Sequence, residues 1–293
     1  MSYAGSRKQA WWIPWAFLAP ALVLFIVFFV WPAGRAIQLS LFKYDIVTPP
    51  VFVGLDNFAE LFVDGRFLLA LRNSGFYLIG MIPFATIFPL WLAILTNQKL
   101  RAIQFFRAIY YLPFITSMVA IGVAWRYIFD REGVLNWVLT ASGIIHEPID
   151  FLLSQIWALP ALALVEGWKN IGFFMLIYLA GLQAIPEDIY EAARTDGANA
   201  WQRMWHFTVP LIMPYTAVTL TLGMLQSMQV FESIFIMTRG GPQDSTTSLG
   251  YLAYSTAFER YQFGYASAIG IVMMLLMVCL AIVNDLITRE RSR

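Results

Sequence analysis

Glu166, Lys169, Asn170 and Phe173 fall at i, i+3, i+4 and i+7, a spacing that puts them on one face of a helix. Together they offer a carboxylate, an ammonium, an amide and an aromatic platform, the groups that hold a sugar or polyol by hydrogen bonding and stacking. They lie inside an otherwise apolar run, where an ionisable side chain is costly and faces a protein interior or a wet cavity. Two uses are open to them: a substrate pathway, or a self-neutralising Glu166–Lys169 pair that knits helices together. A second polar series, Thr219, Gly223, Gln226, Gln229 and Ser233 with Glu232 alongside, has the same helical spacing. Small and polar residues in such a row serve helix packing. The two glutamines are larger than packing requires, so Gln226, Gln229 and Glu232 join the pathway candidates; Glu232 could also pair with Arg239 or Arg126. Asn73 and Tyr77, one turn apart, form a third and sparser pair.

Other chemistries find no constellation. The chain has no GxxxxGK[ST], HExxH or GxSxG run, and His146 and His206 stand apart from each other and from the lone Cys279. It is read as a non-enzyme with no cofactor and no metal site. A single cysteine rules out an intrachain disulfide.

The elements that must position these residues are apolar. Of 293 residues, 59% are hydrophobic and 13% charged, against about 25% charged in soluble domains, so the solvent is mostly lipid. A net charge of +1 gives nucleic acid no handle. A bilayer core about 30 Å thick needs roughly 20 apolar residues per helix. Six stretches qualify, at about 14–36, 73–96, 106–127, 155–182, 208–234 and 264–286. Glu166 and Lys169 lie inside the fourth. Arg7 and Lys8 precede the first, but the charge-free run after them exceeds the roughly 7–15 residues of a signal-peptide core, and it is read as a retained span. Trp11, Trp12, Trp15 and Trp31 bracket it like an interfacial aromatic belt. Six spans put both termini on one side. Arg7, Lys8, Lys99, Arg101, Arg107, Arg194, Arg203, Arg289, Arg291 and Arg293 fall on that side in the shorter loops, which makes it cytoplasmic. The predicted fold is an all-α integral membrane protein of one domain, residues 1–293.

Residues 186–206 stand out as a charged, small-residue loop between the fourth and fifth stretches. Pro186 suits the first turn of a helix, Glu187, Asp188 and Glu191 complement its positive end, and Gly197 suits a left-handed C-terminal cap. The expectation is a short helix from Glu187 to Asp196, a sharp turn at Gly197, and a second helix from about Ala200. Ala192 and Ala193 make its surface thin, so that a partner can approach closely. A connecting helix with no partner is the alternative.

The motif Glu191-Ala192-Ala193, three residues, Gly197, nine residues, then Phe207-Thr208-Val209-Pro210 closely resembles the EAA loop of ABC importer permeases. Phe207 and Val209 depart from the usual Ile-x-Leu-Pro ending but stay apolar. The runs 111–136, 179–198 and 234–242 resemble the carbohydrate branch of that family, the permeases related to the maltose and glycerol-phosphate importers. The resemblance implies a plasma (inner) membrane, multi-pass subunit forming half of a translocation pathway for a sugar or sugar-like polyol, working by alternating access. Its implied partners are a second, homologous permease in a heterodimer, two copies of a cytoplasmic ABC ATPase, an extracytoplasmic solute-binding protein and membrane lipid. On this reading the coupling (EAA) helix lies between spans 4 and 5, with Glu191, Ala192, Ala193, Asp196 and Gly197 docking the ATPase. Arg239, Gly240, Gly241 and Pro242, in an outer loop, lie where the binding protein docks. The alternatives are an ion-coupled secondary carrier, which would need an inverted repeat the chain does not display, and a non-transporting membrane scaffold.

Overall fold

The computed structural model describes residues 12–98 and 101–291. Arg7, Lys8, Trp11, Lys99 and Arg293, which enter the charge and aromatic-belt readings, lie outside them. The chain starts as an apolar rod, α1 (Ile13–Phe25), a π-helical turn (Ile26–Val30) and α2 (Trp31–Leu39). Side chains point outward along nearly its whole length, as lipid solvent permits. A small antiparallel hairpin follows, β1 (Phe42–Lys43) and β2 (Val51–Phe52). In its loop Asp45 accepts bonds from the Thr48 amide (2.7 Å) and hydroxyl (2.8 Å), which hold its carboxyl below the usual range.

α3 (Asp56–Leu61) leads to α4 (Gly65–Ala85) and α5 (Ile87–Thr96), interrupted at Thr86 between Pro83 and Pro89, neither of which can donate to a helix ladder. Then come α6 (Ile103–Ile115) and α7 (Met118–Ile128), which meet at 95°. The third stretch is therefore not one straight helix. Pro113 sits in the last turn of α6, Thr116 and Ser117 are extended, and the Ser117 hydroxyl caps α7 by accepting from the Val119 amide. α8 (Val134–Ala141) follows α7 and touches it. α9 (Ala158–Ala184) is the 27-residue central helix, about 40 Å long at 1.5 Å per residue.

α10 (Glu187–Thr195) is followed by α11 (Ala200–Arg203), a π-helical turn (Met204–Thr208), α12 (Val209–Leu211) and α13 (Met213–Met228), with a 64° bend at Ile212. Helix α13 stops at Met228 rather than near 234. The Ser248 hydroxyl takes the Val230 carbonyl at 2.6 Å, and the chain restarts as the separate α14 (Glu232–Met237). The polar series from Thr219 to Ser233 is thus split between two helices. α15 (Leu249–Tyr254), a π-helical turn (Ser255–Glu259) and α16 (Phe263–Arg291) complete the chain. Among the described residues four helices are long and apolar enough to cross a membrane, and six segments are if each bent pair counts as one.

Helix α9 organises the interior. Near its start Leu162 and Val165 pack with Tyr77 of α4, Ile121 of α7 and Ile234 of α14. Near its end Met175, Tyr178 and Leu182 pack with Ala93 of α5 and Ile212. A third cluster joins α4, α15 and α16 through Phe67, Leu249, Leu252 and Ile269. Backbones approach closely where α6 crosses α9: a Cβ on Gly172 would lie 2.0 Å from the Tyr110 carbonyl oxygen, so only glycine fits.

Candidate functional site

The candidate residues gather at the two ends of α9 and along its middle. At its C-terminal end, Pro186 is the N-cap of α10 rather than a first-turn residue, with Glu187 and Asp188 in the first turn. The other end of α10 is closed twice. The Gly197 amide bonds the Arg194 carbonyl (3.0 Å) and the Ala198 amide bonds the Ala193 carbonyl (2.9 Å), a Schellman arrangement with Gly197 at φ 80°. Asn199 then opens α11 with a capping box, its side chain accepting from the Gln202 amide (2.9 Å) while Gln202 accepts from the Asn199 amide (2.8 Å). The Tyr190 hydroxyl meets the Thr208 hydroxyl at 3.0 Å and pins α10 to the foot of the next long segment.

Helix α10 has two unlike faces. Ala193, 2% exposed, is buried against the chain itself, with Ile189 and Tyr190 half-buried beside it. Glu187, Asp188, Glu191, Ala192, Asp196 and Gly197 are exposed. Of the two alanines, Ala192 lies on the outer ridge and Ala193 seats the ridge on the bundle.

At the opposite end of α9, residues 238–248 fold back on the protein. The Asn73 side-chain amide donates to the Asp244 (3.1 Å) and Thr247 (3.0 Å) carbonyls, and the Leu249 amide donates to the Ser74 hydroxyl (3.0 Å). Thr238 and Thr246 hydroxyls meet at 2.9 Å, Arg66 pairs with Asp244 at 3.0 Å, and Gln243 bonds Gln155. Gly240 is buried, Gly241 and Pro242 are half-buried, and Arg239 projects. Beside Gly241 and Pro242 opens a cavity of about 570 Å³ edged by Arg126, Tyr127, Asp130 and an Arg131–Asp150 pair at 2.9 Å. Asn73 thus has a structural use, anchoring this segment.

In the middle, Glu166 and Lys169 do not pair. The Lys169 ammonium lies 5.5 Å from the centroid of the Phe114 ring and 3.4 Å from the Phe114 carbonyl oxygen. That carbonyl belongs to the last turn of α6, just before the 95° break, where the helix end carries partial negative charge. Phe114 stacks on Phe173 at 4.7 Å and 11°. Lys169 and Phe173 therefore hold the broken-helix corner. Asn170 is buried and donates to the Glu166 carbonyl at 2.8 Å. Gln226 is half-buried, with its side-chain oxygen buried and unpartnered. Gln229 is exposed and its amide meets the Met277 sulfur at 3.1 Å, and Glu232 is exposed with no ion pair to Arg239 or Arg126. Pairwise spacing cannot reveal that Tyr77, Glu166 and Ser233, from three helices, come together here; their polarity inside apolar stretches was the available signal.

The chain as a whole is similar to known proteins. Residues 65–293 match the family described as the binding-protein-dependent transport system inner membrane component. The chain is 35% identical over 285 residues to the lactose transport system permease protein LacF of Rhizobium radiobacter, covering 95% of this chain and 94% of that one. Its fold matches, at a TM-score of 0.81 and 26% identity over 96% of both chains, a chain in the crystal structure of a bacterial ABC transporter involved in the import of the acidic polysaccharide alginate. The same system in complex with an alginate pentasaccharide-bound periplasmic protein matches at 0.79 and 25% identity, again over 96% of both chains. The split between an exposed helical ridge at one end of α9 and a folded-back loop at the other therefore belongs to a multi-pass inner membrane protein, an ABC transporter permease of the binding-protein-dependent transport system inner membrane component family.

Proposed function

We propose that this chain is one of two permease subunits of an ATP-driven importer that receives a sugar or sugar-like polyol from an extracytoplasmic binding protein. The observation that carries the reading is the outer ridge of α10: exposed carboxylates and a small Ala192, seated by Ala193 and Tyr190 and stiffened by two capping motifs. A nine-residue helix is too short to be stable alone, so the caps hold it in one shape, and what suits a partner's groove is the exposed acidic ridge that it then presents. Relatives with lactose and alginate transport in their names support a saccharide as cargo.

In this reading the chain crosses the membrane six times, with the two bent pairs counted as one span each and both termini cytoplasmic. Glu191, Ala192, Asp196 and Gly197 meet the groove of a cytoplasmic ATPase, present in two copies, and a second homologous permease completes the pathway. ATP closes the ATPase pair, α10 moves with its groove, and Tyr190–Thr208 passes the motion to α13. Glu166, Lys169, Asn170, Phe173, Gln226, Gln229 and Glu232 lie along or beside the pathway. Arg239 with the Gly240–Pro242 turn and the neighbouring cavity forms the docking face for the binding protein, about 40 Å from α10 along α9.

The test is uptake in proteoliposomes holding the complex purified from native membranes, with its binding protein outside and radiolabelled saccharides. ATP-dependent uptake that a proton uncoupler leaves intact is the expected result. Uptake abolished by the uncoupler and indifferent to ATP would overturn the reading in favour of an ion-coupled carrier.

A further inference from the structure

Trp201 and Trp205 are 66% and 51% exposed, with their rings edge to face and centroids 5.5 Å apart. Neither belongs to any of the three apolar clusters. They lie on the stretch Ala200–Leu211, which meets α13 at 64°. Their exposure continues along one face: Trp201, Trp205 and Pro210, then Pro214 and Val218 of α13, are all exposed. The steps are of four residues, except for the five that cross the π-helical turn Met204–Thr208. A π-turn bonds i to i+5, so the long step falls where the ladder itself is one residue longer, and the face stays continuous.

Geometry sets the level of the two rings. The 16 residues of α13 are about 24 Å long at 1.5 Å per residue. Ala200–Leu211, about 18 Å long, advances only roughly 8 Å along the α13 axis at that inclination. With α13 along the membrane normal, Trp201 lies roughly 32 Å from Met228, at the boundary of a hydrocarbon core about 30 Å thick. Tryptophan suits that level, because its ring is apolar and its N–H can donate to headgroup oxygens. Gln202 and His206, exposed beside the rings, suit headgroups rather than hydrocarbon.

The other exposed surface of the same loop is opposite in kind, with Glu187, Asp188, Glu191 and Asp196 around the ridge of α10. One loop thus presents carboxylates suited to a protein in water, and an uncharged aromatic face that runs on into a span. The two arms are tied together. The Arg203 guanidinium donates to the Ala198 carbonyl at 2.6 Å, and the Tyr190 and Thr208 hydroxyls meet at 3.0 Å. A displacement of α10 therefore reaches the tryptophan arm.

We propose that Trp201 and Trp205 seat Ala200–Leu211 in the phospholipid headgroup layer, and that this lipid seat is the pivot about which α10 moves. The seat rests only on the chain's spanning a membrane. The pivot rests on the coupling role proposed for α10 and deepens it, by naming lipid as the second partner of the same loop.

The seat is tested by placing photo-reactive benzoylphenylalanine at position 201 or 205, irradiating the complex in native membranes, and weighing the purified chain intact. The expected adduct has the mass of one phospholipid. An adduct with the ATPase or with the second permease, or no adduct at either position, would overturn the seat. The pivot is read in the reconstituted complex by comparing the double variants W201Y,W205Y and W201S,W205S. Tyrosine keeps an aromatic body with a polar tip, and serine keeps no ring. The tyrosine variant is expected to transport like wild type. The serine variant should keep its ATPase and hydrolyse ATP but move less saccharide per ATP consumed. Equal transport by both variants, or loss of the ATPase from the serine variant, would overturn the pivot. A wild type that forms the phospholipid adduct yet shows no ATP-driven uptake would instead overturn the importer reading and leave the seat standing.

Discussion

Segments 186–206 and 238–248 close opposite ends of α9 and are built in opposite ways. The first is stiffened from within, by the Schellman turn at Gly197 and the Asn199–Gln202 box, and keeps its outer ridge free. The second is tied from outside, by Asn73, Ser74 and Arg66 of α4, and buries most of itself. Both look alike in sequence, as charged runs with glycine and proline between apolar stretches. A convex ridge on a short braced helix suits a contact that must push and be pushed. A loop bonded to a long helix suits a fixed platform whose position reports on that helix. The RGGP run is therefore a shaped surface around Arg239 and the adjoining cavity, not a free finger.

The largest break in this comparison should come from Gly197→Pro. Proline cannot reach φ 80° and deletes the amide that bonds the Arg194 carbonyl. ATP-driven uptake is expected to vanish while the amount of inserted chain, read by membrane immunoblot, stays unchanged. Gly197→Ala, which strains the backbone by roughly 1–2 kcal/mol, should retain part of the activity. Ala192→Trp comes next: a bulky ring on the outer ridge should cost co-purification of the ATPase, whereas Ala192→Ser should not. At the other end, Asn73→Leu strips the Asp244 and Thr247 carbonyls of a partner, at about 1–3 kcal/mol for each. It should lower binding-protein affinity about tenfold, read from the titration of stimulated ATP hydrolysis, and leave ATPase co-purification intact. Loss of the ATPase in Asn73→Leu would erase the distinction between the two ends. The smallest effect belongs to Arg66→Ala, since its pair with Asp244 is more than a third exposed. Exposed pairs contribute about 0–1 kcal/mol, so thermal unfolding and uptake should both stay near wild type.

What was legible in the sequence was local. The helix over 187–195 follows from acidic residues after a proline and a glycine ten positions on, because capping chemistry acts over one turn. The apolar stretches follow from composition, because lipid selects on composition. The corners at 116–117, at Ile212 and at 229–231 do not, since hydropathy averages over a window and is blind to backbone angles. Pro113, Pro210 and Pro214 were the available hints. Burial of Ala193 and exposure of Ala192 needed the packing of α10 on the bundle, which adjacent identical residues cannot disclose. Lys169 finding a carbonyl on α6 instead of Glu166 needed the break in α6 to free that carbonyl. The meeting of Tyr77, Glu166 and Ser233 needed three helices placed together.

The central claim, that the ridge and the platform face different partners, is tested most directly by cross-linking in native membranes. Cysteine is introduced singly, as Ala192→Cys or Arg239→Cys, in a Cys279→Ser background, and the adducts of a short thiol-reactive photo-cross-linker are identified by mass. The account predicts an ATPase adduct from position 192 and a binding-protein adduct from position 239, with no exchange between them. An ATPase adduct from position 239, or the binding protein from position 192, would contradict it.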